Sequence, residues 1–139
     1  MKYIIALFLL TLVFACNEGS NNQKADMYNA SELASLMRDM VTFSDSARVS
    51  LLSGKSIESI PENLWGLKTA KGTRDEHEED LFQSLTDPYL NALKGIERGD
   101  SQMYYYNKSI EACVGCHNNY CGGPLVVINK LPIRGTNDQ

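Results

Sequence analysis

Cys113, Cys116 and His117, in the run Cys113-Val114-Gly115-Cys116-His117, are the residues of this chain whose types and spacing carry chemistry. The pattern C-x-x-C-H is the attachment signature of haem c, and its spacing has a physical reason. On one helical turn, two thiols three residues apart reach the two vinyl groups of a porphyrin, and the adjacent imidazole turns under the ring towards the iron. Gly115 keeps the backbone between them free of bulk. Two other chemistries use the same residue types. A Cys113–Cys116 disulfide of the redox kind belongs at a helix start after a strand, whereas this pair falls late in a helical pattern. A zinc site of Cys113, Cys116, His117 and Cys121 has the right number of ligands, but draws all four from a shorter stretch than the usual two-part arrangement.

The start of the chain bears on which chemistry the thiols meet. Lys2 supplies a positive charge, residues 3–14 form an apolar run broken only by Thr11, and Ala15-Cys16 follows. The run is shorter than the roughly 20 apolar residues of a spanning helix and reads as an export signal. Leu12-Val13-Phe14-Ala15-Cys16 resembles the bacterial lipobox, in which the cysteine is lipidated and becomes the mature N-terminus; the alternative is an ordinary signal peptide ending beside a cysteine. Export leads to an oxidising compartment, where unmodified cysteines pair. With Cys16 given to lipid, three of the four cysteines remain, an odd number for disulfides. The expected organisation is a lipoprotein signal peptide over 1–15, a flexible polar tether over 16–29, a haem domain over 30–122 and an extended tail over 123–139.

The elements that must position the motif read as helices. Asn29 with Glu32 is a capping signal, and Leu33, Leu36, Met37, Met40, Phe43, Ala47 and Leu51 recur at helical intervals up to Gly54. Ser59 and Pro61 favour a short second helix with Leu64, Trp65 and Leu67 on its buried side. Thr73 with Glu76 opens a third, striped by Leu81, Leu85, Tyr89, Leu93 and Ile96, stopped at Gly99, and kinked or broken near Thr86 and Asp87 by Pro88. Asp100 caps a fourth, on which Met103, Tyr106, Ile110, Cys113, His117 and Tyr120 share a face. Tyr106 and Ile110 are therefore the expected haem-packing residues, while Tyr104 and Tyr105 fall to the surface or to interhelix packing. Cys121-Gly122-Gly123-Pro124 ends the helix, and the apolar run 125–128 has no second strand to pair with, which predicts extended packing against the helices. His77, inside a run of acidic residues, reads as part of a solvated helix face.

An all-helical exported domain with a single C-x-x-C-H on its last helix resembles the cytochrome c-prime family, antiparallel four-helix bundles with one covalent haem c near the end of the last helix. In low-spin members a methionine early in the first helix binds the iron opposite the histidine, within a Leu-Met-basic-Asp stretch followed about four turns later by a terminating glycine. Leu36-Met37-Arg38-Asp39 and Gly54 have that layout, so the resemblance implies Met37 as sixth ligand, with its stripe neighbour Met40 as the alternative. The bland reading of either is core filling. High-spin members of the family leave the iron five-coordinate and bind nitric oxide or carbon monoxide. Members also dimerise through their first two helices, which implies a homodimer. The chain departs from the family in its abbreviated second helix, in Cys121 where a basic residue follows the histidine by four positions, and in the eighteen residues beyond it. Cys121 is open to three roles: a free thiol, an intermolecular disulfide partner or a packing residue beside the haem.

Composition narrows the function classes. The net charge of −4 becomes −5 without residues 1–15, whose only charge is Lys2, and no basic stripe of the kind a phosphate backbone requires is present. No nucleophile with a base and no phosphate-binding loop is evident, so an enzyme is not expected. The expectation is a lipid-anchored monohaem cytochrome on the periplasmic side of a Gram-negative membrane, exchanging single electrons with a redox partner protein. Asn17 after Cys16 favours the outer membrane. The alternatives are a five-coordinate gas-binding haem protein and a structural zinc lipoprotein.

Overall fold

The computed structural model describes residues 29–135. The expected signal peptide, the expected lipidation residue Cys16 and nearly all of the expected tether fall outside the described residues. What is described is all-helical, with no strand among the described residues: α1 (Glu32–Leu52), α2 (Asp80–Glu97), α3 (Gln102–Tyr120) and a single turn, α4 (Leu125–Ile128), joined by two 3-10 segments at Glu62–Lys68 and Glu76–Glu78. Among the described residues no helix is long and apolar enough to cross a membrane.

The first helix begins two residues later than the Asn29 signal suggests. Ser31 is the N-cap, with extended backbone and its Oγ accepting from the Ala34 N–H at 3.2 Å. Glu32 does not reach back to close a capping box. Its carboxylate instead accepts from the N–H of Lys71 at 3.1 Å, while the N–H of Leu33 donates to the Lys71 carbonyl at 2.9 Å, fastening the helix start to a distant loop. Gly54, at φ +73°, ends α1 as the spacing predicts. Its N–H returns to Leu51 and that of Lys55 to Ser50, which satisfies two terminal carbonyls in a Schellman arrangement.

The expected second helix is a seven-residue 3-10 segment that buries Leu64 and Leu67 and half-buries Trp65. The third helix starts at Asp80 rather than near Thr73, because Glu76 is spent on its own loop: its carboxylate accepts from the Arg74 backbone N–H and side-chain Nε, and Leu81 is 53% exposed. His77 is correspondingly not on a solvated helix face; it lies in the 3-10 turn with its side chain 17% exposed. Pro88 does not break α2, which runs unbroken to Glu97. Pro88 and Ser84, whose carbonyl loses its donor, both lie on the exposed side, where water serves instead.

The closest pairing is α2 with α3. Gly95 permits it, since a Cβ there would lie 2.3 Å from the Tyr105 ring. Gly99 at φ +83° and Ser101 at φ +50° make the turn between them, so Ser101 rather than Asp100 holds the N-cap position of α3, without a side-chain capping bond. The buried amide of Gln102 compensates: its Nε2 donates to the carbonyls of Ile57 and Ile96, both at 2.9 Å, and its Oε1 accepts from the Ile57 N–H at 2.8 Å.

The tail is not simply extended. Pro124, at φ −65°, pre-sets the turn of α4, and only residues 131–135 run on without helix. Ile128, Leu131 and Ile133 are buried in the main core, each apolar side chain contributing about 1.5–3 kcal/mol of transfer free energy before ordering costs. The Tyr106 hydroxyl donates to the Leu131 carbonyl at 2.8 Å, and the Asn107 amide pairs in both directions with the backbone of Ile133 at 2.9 Å.

Candidate haem-binding site

Cys113, Cys116 and His117 line a small pocket of about 30 Å³, partly open to solvent, between all three long helices. Ala112 completes the α3 wall. Met37 and Met40 of α1 stand across from it, Leu67 of the 3-10 segment closes one side, and Phe82, Leu85, Thr86 and Tyr89 of α2 close the other. A second pocket of about 150 Å³, more open to solvent, adjoins the first and shares Met37, Phe82, Cys116 and His117 with it. The ring of Tyr120 meets Phe82 edge-on at 5.8 Å and its hydroxyl donates to Glu79 at 2.7 Å, tying the end of α3 to the start of α2 beside this second space.

His117 is 8% exposed, and its orientation is set by the residue that ends its helix. Its Nδ1 lies 3.0 Å from the carbonyl oxygen of Cys121 and 3.3 Å from the Cys121 sulfur. A carbonyl only accepts, so Nδ1 carries the proton and Nε2 keeps its lone pair, the tautomer an axial metal ligand needs. The Cys121 backbone is extended, at φ −156°, and this abrupt exit from the helix is what turns its carbonyl back to the imidazole.

The thiols are free and lie in apolar surroundings. Burial pushes Cys113 up to about 12, with Cys116 adding to the effect; burial also raises Cys116, with a smaller contribution from Cys121. Thiols of disulfide-exchange motifs are shifted the other way. Among the described residues no group of three or more His, Cys, Asp or Glu side chains gathers closely enough to hold a metal ion.

The sequence-named residues therefore divide. Cys113, Cys116, His117, Met37 and Met40 come together around one space. Met37 also lines the adjoining cavity and an open groove beside Cys121, whereas Met40 reaches the first cavity alone. Tyr106 and Ile110 line none of these spaces; both are buried in the core, with the Tyr106 hydroxyl committed to the tail. Sequence reasoning missed Phe82, Thr86 and Tyr89. Tyr89 was on the page as one residue of the α2 stripe, and its phase with Phe82 and Thr86, at intervals of three and four, is the signal that groups them.

The chain matches no family model, no curated protein and no solved structure. The reading of the site rests on its own residues.

Proposed function

We propose that this chain is a lipid-anchored monohaem c-type cytochrome that passes single electrons on the periplasmic side of a membrane. It would hold its haem in an abbreviated four-helix bundle of the c-prime kind, with Glu62–Lys68 in the place of the second helix. The observation that carries this is the geometry of His117. Its Nδ1 is engaged by the Cys121 carbonyl, its Nε2 is left for a metal, and it stands in the same cavity wall as the two cysteines one turn away.

The residues present fit the group. Cys113 and Cys116 would hold it by thioether bonds, each thiol adding across one vinyl group, and the apolar lining around both sulfurs suits a porphyrin. His117 would bind the iron through Nε2, and Met37, which lines the same pocket from α1, would supply a sulfur ligand. Leu67, Phe82, Leu85 and Ala112 exclude water, which limits solvent reorganisation when charge changes. A covalently bound haem supplies a reversible one-electron couple, and a methionine axial ligand raises its potential. The anchor at Cys16, the outer-membrane address and a protein redox partner belong to the same proposal.

Visible spectra of the purified ferric and ferrous protein test it. A Soret band with a low-spin ferrous spectrum is the expected result. A five-coordinate high-spin spectrum would replace electron transfer by gas binding, and the absence of any Soret band would reject the proposal.

A further inference from the structure

Buried polar groups in this fold find partners with few exceptions. On the helices around the cavity, Thr86 Oγ1 donates to Gln83, Ser109 Oγ to Tyr106 and the Tyr106 hydroxyl to Leu131. Among the described residues three buried side-chain atoms lack a partner: Arg48 Nε, His77 Nδ1 and the hydroxyl of Tyr89. Of these residues Tyr89 alone lines the haem cavity. It is 2% exposed, so water cannot serve its hydroxyl from outside.

An unpaired buried hydroxyl is destabilising, and phenylalanine would fill the same space without that penalty. Packing therefore accounts for the ring and not for the oxygen. Burial, reinforced by the nearby Cys113, keeps the phenol protonated far above the usual range, which makes it a donor. Tyr89 lines the cavity and its hydroxyl has no partner in the protein, so the acceptor is sought on what fills the cavity.

We infer that the Tyr89 hydroxyl donates a hydrogen bond to a propionate carboxylate of the haem that fills the cavity. The inference rests on the haem reading and extends it to a residue of α2 that the attachment motif does not contain. Phenylalanine at position 89 would retain the fold and lose the interaction.

The test compares haem-loaded wild-type protein with Tyr89→Phe, and with Tyr106→Phe as a control whose lost hydrogen bond serves the tail. Two readouts are taken: the midpoint potential across pH, and the dissociation rate and C–O stretching frequency of any carbon monoxide the ferrous protein binds. The propionate partner predicts that Tyr89→Phe lowers the potential and changes its pH dependence. An unchanged potential with about 2- to 10-fold faster carbon monoxide dissociation and a shifted stretch would place the hydroxyl beside an iron ligand and overturn the propionate partner. Tyr106→Phe is expected to move neither. Identical values for Tyr89→Phe and wild type, with haem content intact, would overturn the role of Tyr89 and leave the haem reading standing. A wild-type preparation without covalent porphyrin would overturn both.

Discussion

The carbonyl oxygen of Cys121 sits 3.0 Å from Nδ1 of His117, and this contact engages one ring nitrogen and leaves Nε2 free. The bond comes from the backbone, so the thiol beside it, at 3.3 Å, is not what orients the ring. Cys121→Ala is accordingly expected to keep the axial histidine and the low-spin spectrum. Loss of histidine ligation in that variant, read by resonance Raman or electron paramagnetic resonance, would assign the orientation to the sulfur.

Met37 and Met40 differ in reach. Met37 borders both cavities and the outer groove with His117, whereas Met40 is buried against the first cavity only. Met37→Ala is expected to convert the iron to high spin and to lower the midpoint potential. Met40→Ala is expected to keep the low-spin spectrum while losing about 2–5 kcal/mol of stability as a core truncation. The reverse pattern would exchange their roles.

Gly95 lets α2 and α3 approach where the Tyr105 ring crosses. Gly95→Ala is expected to cost about 1–3 kcal/mol through overpacking, measured as a lower midpoint of thermal or denaturant unfolding. Tyr105→Ala should relieve most of that penalty in the double variant, which is a coupling a mere change of helix propensity would not produce.

Glu76 holds the loop that lines the second cavity. Burial alone would raise its carboxyl, but hydrogen bonds from its own and the Arg74 backbone and from the Arg74 guanidinium outweigh this and hold it below the ordinary value of 4.5. A depressed folded value means that its stabilisation is complete above about 4.5 and is lost as pH falls through the lower folded value. Hydrogen-exchange protection over residues 72–78, corrected for the intrinsic pH dependence of exchange, is expected to fall in that acid window for the wild type, and to lose that dependence in Glu76→Gln.

Much of this was legible in the sequence. The attachment motif, the stripes of α1 and α2 and the stops at Gly54 and Gly99 follow from local rules, and Met37 reached the site because it shares a stripe that faces α3. The remainder depended on tertiary choices. Glu32 and Glu76 look like capping-box residues, yet the fold uses their carboxylates on Lys71 and Arg74. Tyr106 has the phase of the motif but lies two turns before it, where the returning tail supplies a carbonyl and a buried apolar run. The tail's single helical turn was missed because a four-residue apolar run carries no readable period.

Covalent attachment at Cys113 and Cys116 is the central claim, and the intact mass of the exported protein under denaturing conditions tests it most directly. The polypeptide is predicted to retain one porphyrin with its iron through acid–acetone extraction, and to lose it when both cysteines are replaced by serine. A wild-type chain carrying only its polypeptide and lipid mass would contradict the account.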